Sequence, residues 1–375
     1  MKVVLSGGGT GGHLYPALAI AEALRRRRPE VEILFVGGDR IESRIVPQEG
    51  WAFQSIAARA LPRRPGLSAL LALGVTVAGI AQAVRILWRR RPDVVVATGG
   101  YVCLPVGCAA AILRMPLLIQ EQNLRPGLAA RILARWARCA SLPHPDAAPY
   151  LGTRRSEVTG VPVRRQALEG DRARGMARWN LAADRLTLLV IGGSQGARSI
   201  NRAVSRLGDL LMYDARLQIL HHTGTEHLHE VLEAIGHREH VGPPAVRHIA
   251  VPFLDPIGDA YACADLVLCR AGASTLAEIT AWGLPAVVVP YPYAGGHQEE
   301  NAAVLVRAGA AVQLDDGDLD GTALVQIVSS LLDDRPRRAA MAAASRGLGR
   351  PNAADIVAGL VEALGRGGLV QEVRA

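Results

Sequence analysis

Short runs of aliphatic and β-branched residues alternate along the chain with longer stretches whose apolar positions recur at helical spacing. Val3–Leu5, Val31–Val36, Val94–Thr98, Leu117–Gln120, Leu186–Ile191, Gln218–His221, Val246–Val251, Leu266–Cys269 and Ala286–Val289 read as strands. They are near-continuously apolar rather than alternating, as parallel strands covered on both faces are. Helix-length segments separate most of them, so the pattern predicts an α/β fold built on parallel, doubly wound sheets.

The pattern also restarts. VVLSGGGTGGHLYPALAIAEAL (3–24) and LLVIGGSQGARSINRAV (188–204) share one plan of apolar strand, glycine-rich turn and amphipathic helix. Two such openings predict two Rossmann-like domains, and 375 residues exceed the ~250–300 at which a single core stops growing. The expected division is 1–163 and 164–350, with the junction in the polar stretch Gly160 to Arg185. Residues 351–375 then hold a last helix, Ala353–Leu364, that crosses back to the first domain. Ligands on such sheets bind at the carboxyl ends of the strands, which places a site where two such domains face each other across a cleft.

One helical stretch breaks the pattern. LSALLALGVTVAGIAQAVRILW (67–88) carries one charge in 22 residues and runs into Arg89, Arg90 and Arg91. It approaches the ~20 residues needed to span a bilayer, but Gly74, Gly79, Gln82 and Arg85 interrupt it and a core strand follows directly. Two readings remain. One is a buried core helix; the other is a partly exposed apolar face that, with Pro62–Arg64 and Arg89–Arg91, lets residues 62–91 dip into an anionic membrane surface.

Charge sharpens the second reading. Residues 1–165 hold 23 Lys/Arg against 10 Asp/Glu, whereas 166–375 hold 19 against 24. A basic half suits an anionic partner, and since only 4% of residues are aromatic, base stacking on a nucleic acid has little to work with. No nucleic-acid partner is expected. Lys2 is the only lysine and opens the first strand, so P-loop and Schiff-base chemistry are excluded. The five cysteines form no C-x-x-C pair and read as reduced core residues, and the N-terminus enters a strand with no signal-peptide pattern.

Candidate chemistry lies where strands end. Gly7–His13 contains G-x-G-x-x-G, with Asp39 after the second strand where a dinucleotide fold would put its ribose carboxylate. This supports an NAD- or FAD-dependent oxidoreductase as a rival reading. Against it, five of the six residues Gly7–Gly12 are glycine, the turn ends in a histidine, and the second half carries signatures of its own. GGSQGA (192–197) offers backbone N–H groups and the Ser194 hydroxyl at a helix start, a ready anion site. In CRAGASTLAEITAWGLPAVVVP (269–290), Ser274 and Thr275 are placed to cap a helix and bind phosphate, and Glu278 one turn later to accept from a ribose diol. That fits a nucleoside diphosphate. His297 and Gln298, read as loop residues, could meet sugar hydroxyls, with Asn301 capping the next helix. In the first half, TGGYVCLP (98–105) and IQEQN (119–123) end strands and present Tyr101, Glu121 and Asn123. Seven of the ten histidines fall between His221 and His248, at spacings unlike a metal site.

GGTGGH, GGYV, EQN, PVR, GGSQGA, RAGASTLAE and HQ-x-x-NA, in this order, resemble glycosyltransferase family 28. Within it, they resemble the N-acetylglucosaminyltransferases acting on lipid I in peptidoglycan synthesis. The resemblance implies a GT-B fold and inverting transfer from UDP-GlcNAc to the C4 hydroxyl of undecaprenyl-pyrophosphoryl-MurNAc-pentapeptide; single motifs extend to related GT-B transferases, which leaves a glycolipid or antibiotic acceptor as the alternative. It further implies a peripheral place on the cytoplasmic face of the membrane, with a cell-wall synthesis complex as a candidate partner and no metal or other cofactor. By the same resemblance, Thr10, Gly11, Gly12, Asn123, Arg164, Ser194, Leu254, Ala273, Ser274, Thr275, Leu276, Ala277, Glu278 and Gln298 would contact the donor, and Arg164 would neutralise phosphate charge. His13 would be the general base, with Glu121 and Tyr101 supporting the acceptor side. Two departures stand out: Gln120 precedes EQN, and AGGHQE lacks the acidic residue common before HQ.

Overall fold

The computed structural model describes residues 1–60, 66–153, 155–239, 246–319 and 322–368. The arginines of Pro62–Arg64, part of the expected membrane-facing segment, lie outside them. The chain divides into two compact units, Met1–Arg164 with Arg350–Ala375, and Arg165–Gly349.

The first unit is built on seven strands: β1 (Lys2–Ser6), β2 (Glu32–Gly37), β3 (Ala52–Ser55), β4 (Val94–Ala97), β5 (Leu117–Gln120), β6 (Cys139–Leu142) and β7 (Ser156–Val158). All pair parallel, in the order β3-β2-β1-β4-β5-β6-β7. The second unit carries β8 (Leu186–Ile191), β9 (Leu217–His222), β10 (Arg247–Val251), β11 (Leu266–Arg270), β12 (Ala286–Val289) and β13 (Ala311–Gln313). These are again parallel, ordered β10-β9-β8-β11-β12-β13. Each sheet therefore reverses direction beside its own first strand, at β1/β4 and at β8/β11. In a doubly wound sheet the ligand crevice opens at that reversal.

Four strands go beyond the sequence reading: β3, β6, β7 and β13. β3, β7 and β13 are short outer strands carrying polar residues, and β6 (CASL) is buried but built from small side chains without a β-branched run.

In the first unit, the helix Gly11–Arg27 buries Leu14, Leu18, Ile20 and Leu24 against the sheet and the helix Ala353–Gly365, which contributes Val357, Leu360 and Val361. Arg27 Nε donates to Glu362 Oε1 at 3.1 Å and Arg26 Nη2 to Asp355 Oδ1 at 3.0 Å across the same pair of helices. The second unit packs two apolar layers, one centred on Tyr261 and Ile279, the other on Val204 and Val328.

The helix Leu67–Arg90 is neither wholly buried nor wholly bare. Ala72, Thr76, Ala83 and Leu87 face inward, while Leu70 (67% exposed), Leu71, Leu73, Val77 and Trp88 (61%) face out. Its inner side is fitted closely: a Cβ at Gly79 would stand 2.1 Å from the Ala57 carbonyl oxygen. By length and composition Leu70–Arg90 could cross a membrane, with a third of it buried against the unit. The reading as a wholly buried core helix is corrected, because the described residues leave one side of the helix uncovered.

Candidate active site

In the first unit the residues of interest gather at the carboxyl ends of β1, β4 and β5, three neighbouring strands. The glycine turn after β1 leads into the helix Gly11–Arg27, whose cap position is the exposed Thr10. The N–H groups of His13 and Leu14 both donate to the Thr10 carbonyl, at 3.3 and 3.2 Å. Gly11 and Gly12 form the first turn of that helix.

The same turn has an occupant that the sequence reading did not foresee. Glu42, 1% exposed, accepts from the Gly9 N–H (Oε2, 2.9 Å) and from the Gly38 N–H after β2 (Oε1, 3.0 Å). A dinucleotide fold would offer this turn to a pyrophosphate, but here an internal carboxylate takes the Gly9 amide, and Asp39, the proposed ribose ligand, is exposed. That engagement removes one of the amides a pyrophosphate would use and counts against the oxidoreductase reading. Gly9 also has φ +81° and would bring a Cβ to 2.9 Å from the Tyr101 ring. Tyr101 thus packs directly on the turn, and burial raises its phenol pKa.

His13 lies at the centre of this region, its Nδ1 3.2 Å from Gln122 Oε1. Gly99, at φ +102°, runs so close that a Cβ there would stand 2.6 Å from His13 Nδ1. Glu121 is 3% exposed and fully engaged: Oε1 accepts from the N–H groups of Gln122 and Asn123 (2.9 Å each) and from Asn123 Nδ2 (3.3 Å), and Oε2 from the Gly127 N–H (3.3 Å). Burial raises its pKa while these donors oppose the rise. Its geometry is that of a brace for the loop 121–127. Arg164, the last residue of this unit before the chain leaves it, donates to Glu22 Oε1 (2.8 Å) and in a fork to both oxygens of Glu49 (3.0 and 2.8 Å).

In the second unit the candidates gather after β8, β10, β11 and β12. Ser194 is exposed in the turn after β8. Leu254 and Leu276 have their side chains in the core, so only their main chains can meet a ligand. The helix Ala273–Trp282 follows β11, and its cap residue is Gly272 with no side-chain cap. The expectation that Ser274 and Thr275 cap it is therefore corrected: both lie inside the first turn, beside Ala273. The first main-chain bond of this turn is donated by Leu276 to the Gly272 carbonyl, at 3.0 Å. The Ser274 hydroxyl is buried without a hydrogen-bond partner among the described residues. One turn on, past Ala277, Glu278 Oε2 accepts from the Tyr261 hydroxyl at 2.6 Å, and burial raises its pKa to about 7 against that hydrogen bond.

His297 and Gln298, expected on a loop, open the helix His297–Arg307 after the Gly296 cap. Gln298 Oε1 accepts from the Tyr291 N–H at 2.9 Å, and His297 Nδ1 is buried without a partner among the described residues. Asn301 does not cap this helix; it sits in the second turn, 6% exposed, and Nδ2 donates to the Ala271 carbonyl at 3.4 Å. That bond ties this helix to the loop feeding the helix Ala273–Trp282. Glu42, Gln122 and Tyr261, which hold the turn, the histidine and the ribose candidate, escaped the sequence reading because their partners are 33, 109 and 17 positions away.

Residues 3–141 match the glycosyltransferase family 28 N-terminal domain, and 187–357 the family 28 C-terminal domain. The chain is 41% identical over 372 residues to a protein of Halothermothrix orenii, covering 98% of this chain and 100% of that one. To a protein of Salinibacter ruber it is 43% identical over 364 residues, covering 96% of each. Both relatives are UDP-N-acetylglucosamine–N-acetylmuramyl-(pentapeptide) pyrophosphoryl-undecaprenol N-acetylglucosamine transferases. Among solved structures, MurG of Acinetobacter baumannii superposes with a TM-score of 0.75 at 26% identity, covering 96% of this chain and 99% of that one.

Proposed function

The chain belongs to glycosyltransferase family 28, and from that premise we infer that it transfers N-acetylglucosamine from UDP-N-acetylglucosamine to the C4 hydroxyl of MurNAc in undecaprenyl-pyrophosphoryl-MurNAc-pentapeptide. The products are UDP and the β-1,4-linked disaccharide lipid. The observation that carries this reading is the full-length identity to relatives with that activity.

The geometry supports a division of labour. In the second unit, the uncapped start of the helix Ala273–Trp282 and the unpartnered Ser274 hydroxyl suit the pyrophosphate of UDP. Glu278 suits the ribose, and Ser194, His297 and Gln298 the rest of the donor. As the glycosidic bond breaks, charge grows on the departing pyrophosphate, where the helix start stabilises it. In the first unit, His13 takes the proton of the attacking hydroxyl, while Glu121 holds the loop that carries Asn123. Tyr101 supports the acceptor side, and the turn Thr10–Gly12, with Asn123, contacts the donor. Arg164 can meet a phosphate if that group displaces Glu49.

We place the enzyme peripherally on the cytoplasmic face of the membrane, with the exposed leucines of Leu67–Arg90 in the headgroup region and Arg89–Arg91 on anionic lipid. Serine at Leu70, Leu71 and Leu73 should release the protein from anionic vesicles in a sedimentation assay with its unfolding temperature retained; unchanged binding would refute the placement.

The reaction is tested by UDP release from UDP-N-acetylglucosamine with and without a short-chain analogue of the lipid acceptor. Acceptor-dependent release with a disaccharide product is expected. Release to water alone, or none despite tight UDP binding, would overturn the acceptor assignment.

A further inference from the structure

We propose that Gln122 is a positioning residue that sets the tautomer of His13, holding the proton on Nδ1 and the basic lone pair on Nε2. The proposal rests on the reading of His13 as the general base.

The assignment follows from which atoms can donate. Gln122 Nε2 donates to the Thr98 carbonyl, and a carbonyl oxygen can only accept. The same nitrogen donates to Gln120 Oε1 at 2.8 Å, and Gln120 Nε2 donates onward to the Glu121 carbonyl at 3.0 Å. Both amides are thereby oriented. Gln122 Oε1 is the atom facing His13 Nδ1 at 3.2 Å, and an amide oxygen has no proton to give. The imidazole must donate from Nδ1, and a neutral ring that donates there is basic at Nε2.

Three further features fix the ring. The Gly99 main chain lies against Nδ1, and a Cβ at Gly100 would stand 3.3 Å from Cδ2. The Thr98 hydroxyl donates to the His13 carbonyl at 2.8 Å, tying the start of the histidine's helix to the end of β4. Gln122 itself is 3% exposed, so water does not compete for its oxygen.

The choice of an amide has a chemical consequence. A carboxylate in this place would orient the ring equally well but would stabilise the imidazolium and keep the base protonated to higher pH. A neutral acceptor directs the lone pair without that charge.

Gln122→Met removes the acceptor at similar length, and Gln122→Glu keeps an acceptor but adds charge. The readouts are the ¹⁵N signals of ring-labelled histidine, kcat and KM for both substrates, and the pH profile of kcat. The wild type should show His13 in the Nδ1–H form. Gln122→Met should mix the tautomers and lower kcat about ten- to hundredfold, the scale on which partners that orient histidines act, with donor KM unchanged. Gln122→Glu should retain the Nδ1–H form and move the acid limb of the kcat profile to higher pH. A wild-type ring in the Nε2–H form, or a tautomer that Gln122→Met does not alter, would overturn the proposal whatever His13 does. So would a changed tautomer with unchanged kcat. If His13→Ala is also fully active, the general-base reading falls with it; if His13→Ala is inactive, only the role of Gln122 falls.

Discussion

The two units share one strand order over their first six strands and differ in how the groups beside the reversal point are satisfied. In the first, the buried carboxylate of Glu42 takes the Gly9 amide inside the turn, and the helix Gly11–Arg27, itself without a side-chain cap, carries an imidazole in its first turn. In the second, the helix Ala273–Trp282 begins without a side-chain cap and beside a serine hydroxyl with no partner among the described residues. The comparison teaches that a glycine-rich turn does not itself make a phosphate site. What decides is whether a neighbouring side chain has already satisfied the amides that a phosphate would use.

The strongest way to break this comparison is through His13. His13→Ala should lower kcat by about 10²–10⁴-fold while leaving UDP affinity, measured by calorimetry, within about twofold; wild-type turnover would remove the base from the first unit. The matching change in the second unit is Glu278→Ala. It should raise the donor KM roughly ten- to hundredfold, the value of a hydrogen bond to a charged group. An unmoved KM would take the ribose away from Glu278.

A smaller effect sharpens the contrast. Glu42→Ala strands the part-buried N–H of Gly9 and the buried N–H of Gly38 and should cost about 1–3 kcal/mol, seen as a drop of several degrees in unfolding temperature with UDP binding retained. If inorganic phosphate restored the lost stability, the first turn would prove to be an anion site after all. The smallest effect is a pH dependence. Glu278 has its pKa raised to about 7 by burial, so it gains a proton as pH falls through 7. A protonated carboxyl has fewer acceptor sites for a diol, so donor affinity should weaken a few-fold between pH 8 and 6. Glu278→Gln should lose that part of the slope, and identical slopes in the two proteins would exclude Glu278 as its source.

Much of this was legible in the sequence because it is local. Two strand–glycine–helix openings announce two doubly wound units, and the motifs ending β4, β5, β8 and β11 are contiguous, so their arrival at the carboxyl ends of strands follows from chain order. What stayed hidden depends on distant contacts. No local pattern marks Glu42 as the occupant of a turn more than thirty residues earlier, or Gln122 as the partner of His13. Ser274 was legible as a residue but not as a buried hydroxyl lacking a partner among the described residues, since Gly272, which has no side chain to cap with, holds the cap position instead. The outer strands β3, β7 and β13 carry too little apolar surface to register in a pattern of buried runs.

The helix Ala353–Gly365 fills part of the first unit's core, yet it is encoded after the 185 residues Arg165–Gly349 of the second. At ~5–20 residues per second, a ribosome takes on the order of ten seconds or more to cover that interval. Throughout it the nascent first unit has leucines and alanines of Gly11–Arg27 facing the place where Val357, Leu360 and Val361 have yet to arrive. The second unit, contiguous in the chain, can finish first. Order of synthesis and order of completion are thus reversed, and the half proposed to meet the membrane is the half that needs shelter while it is being made.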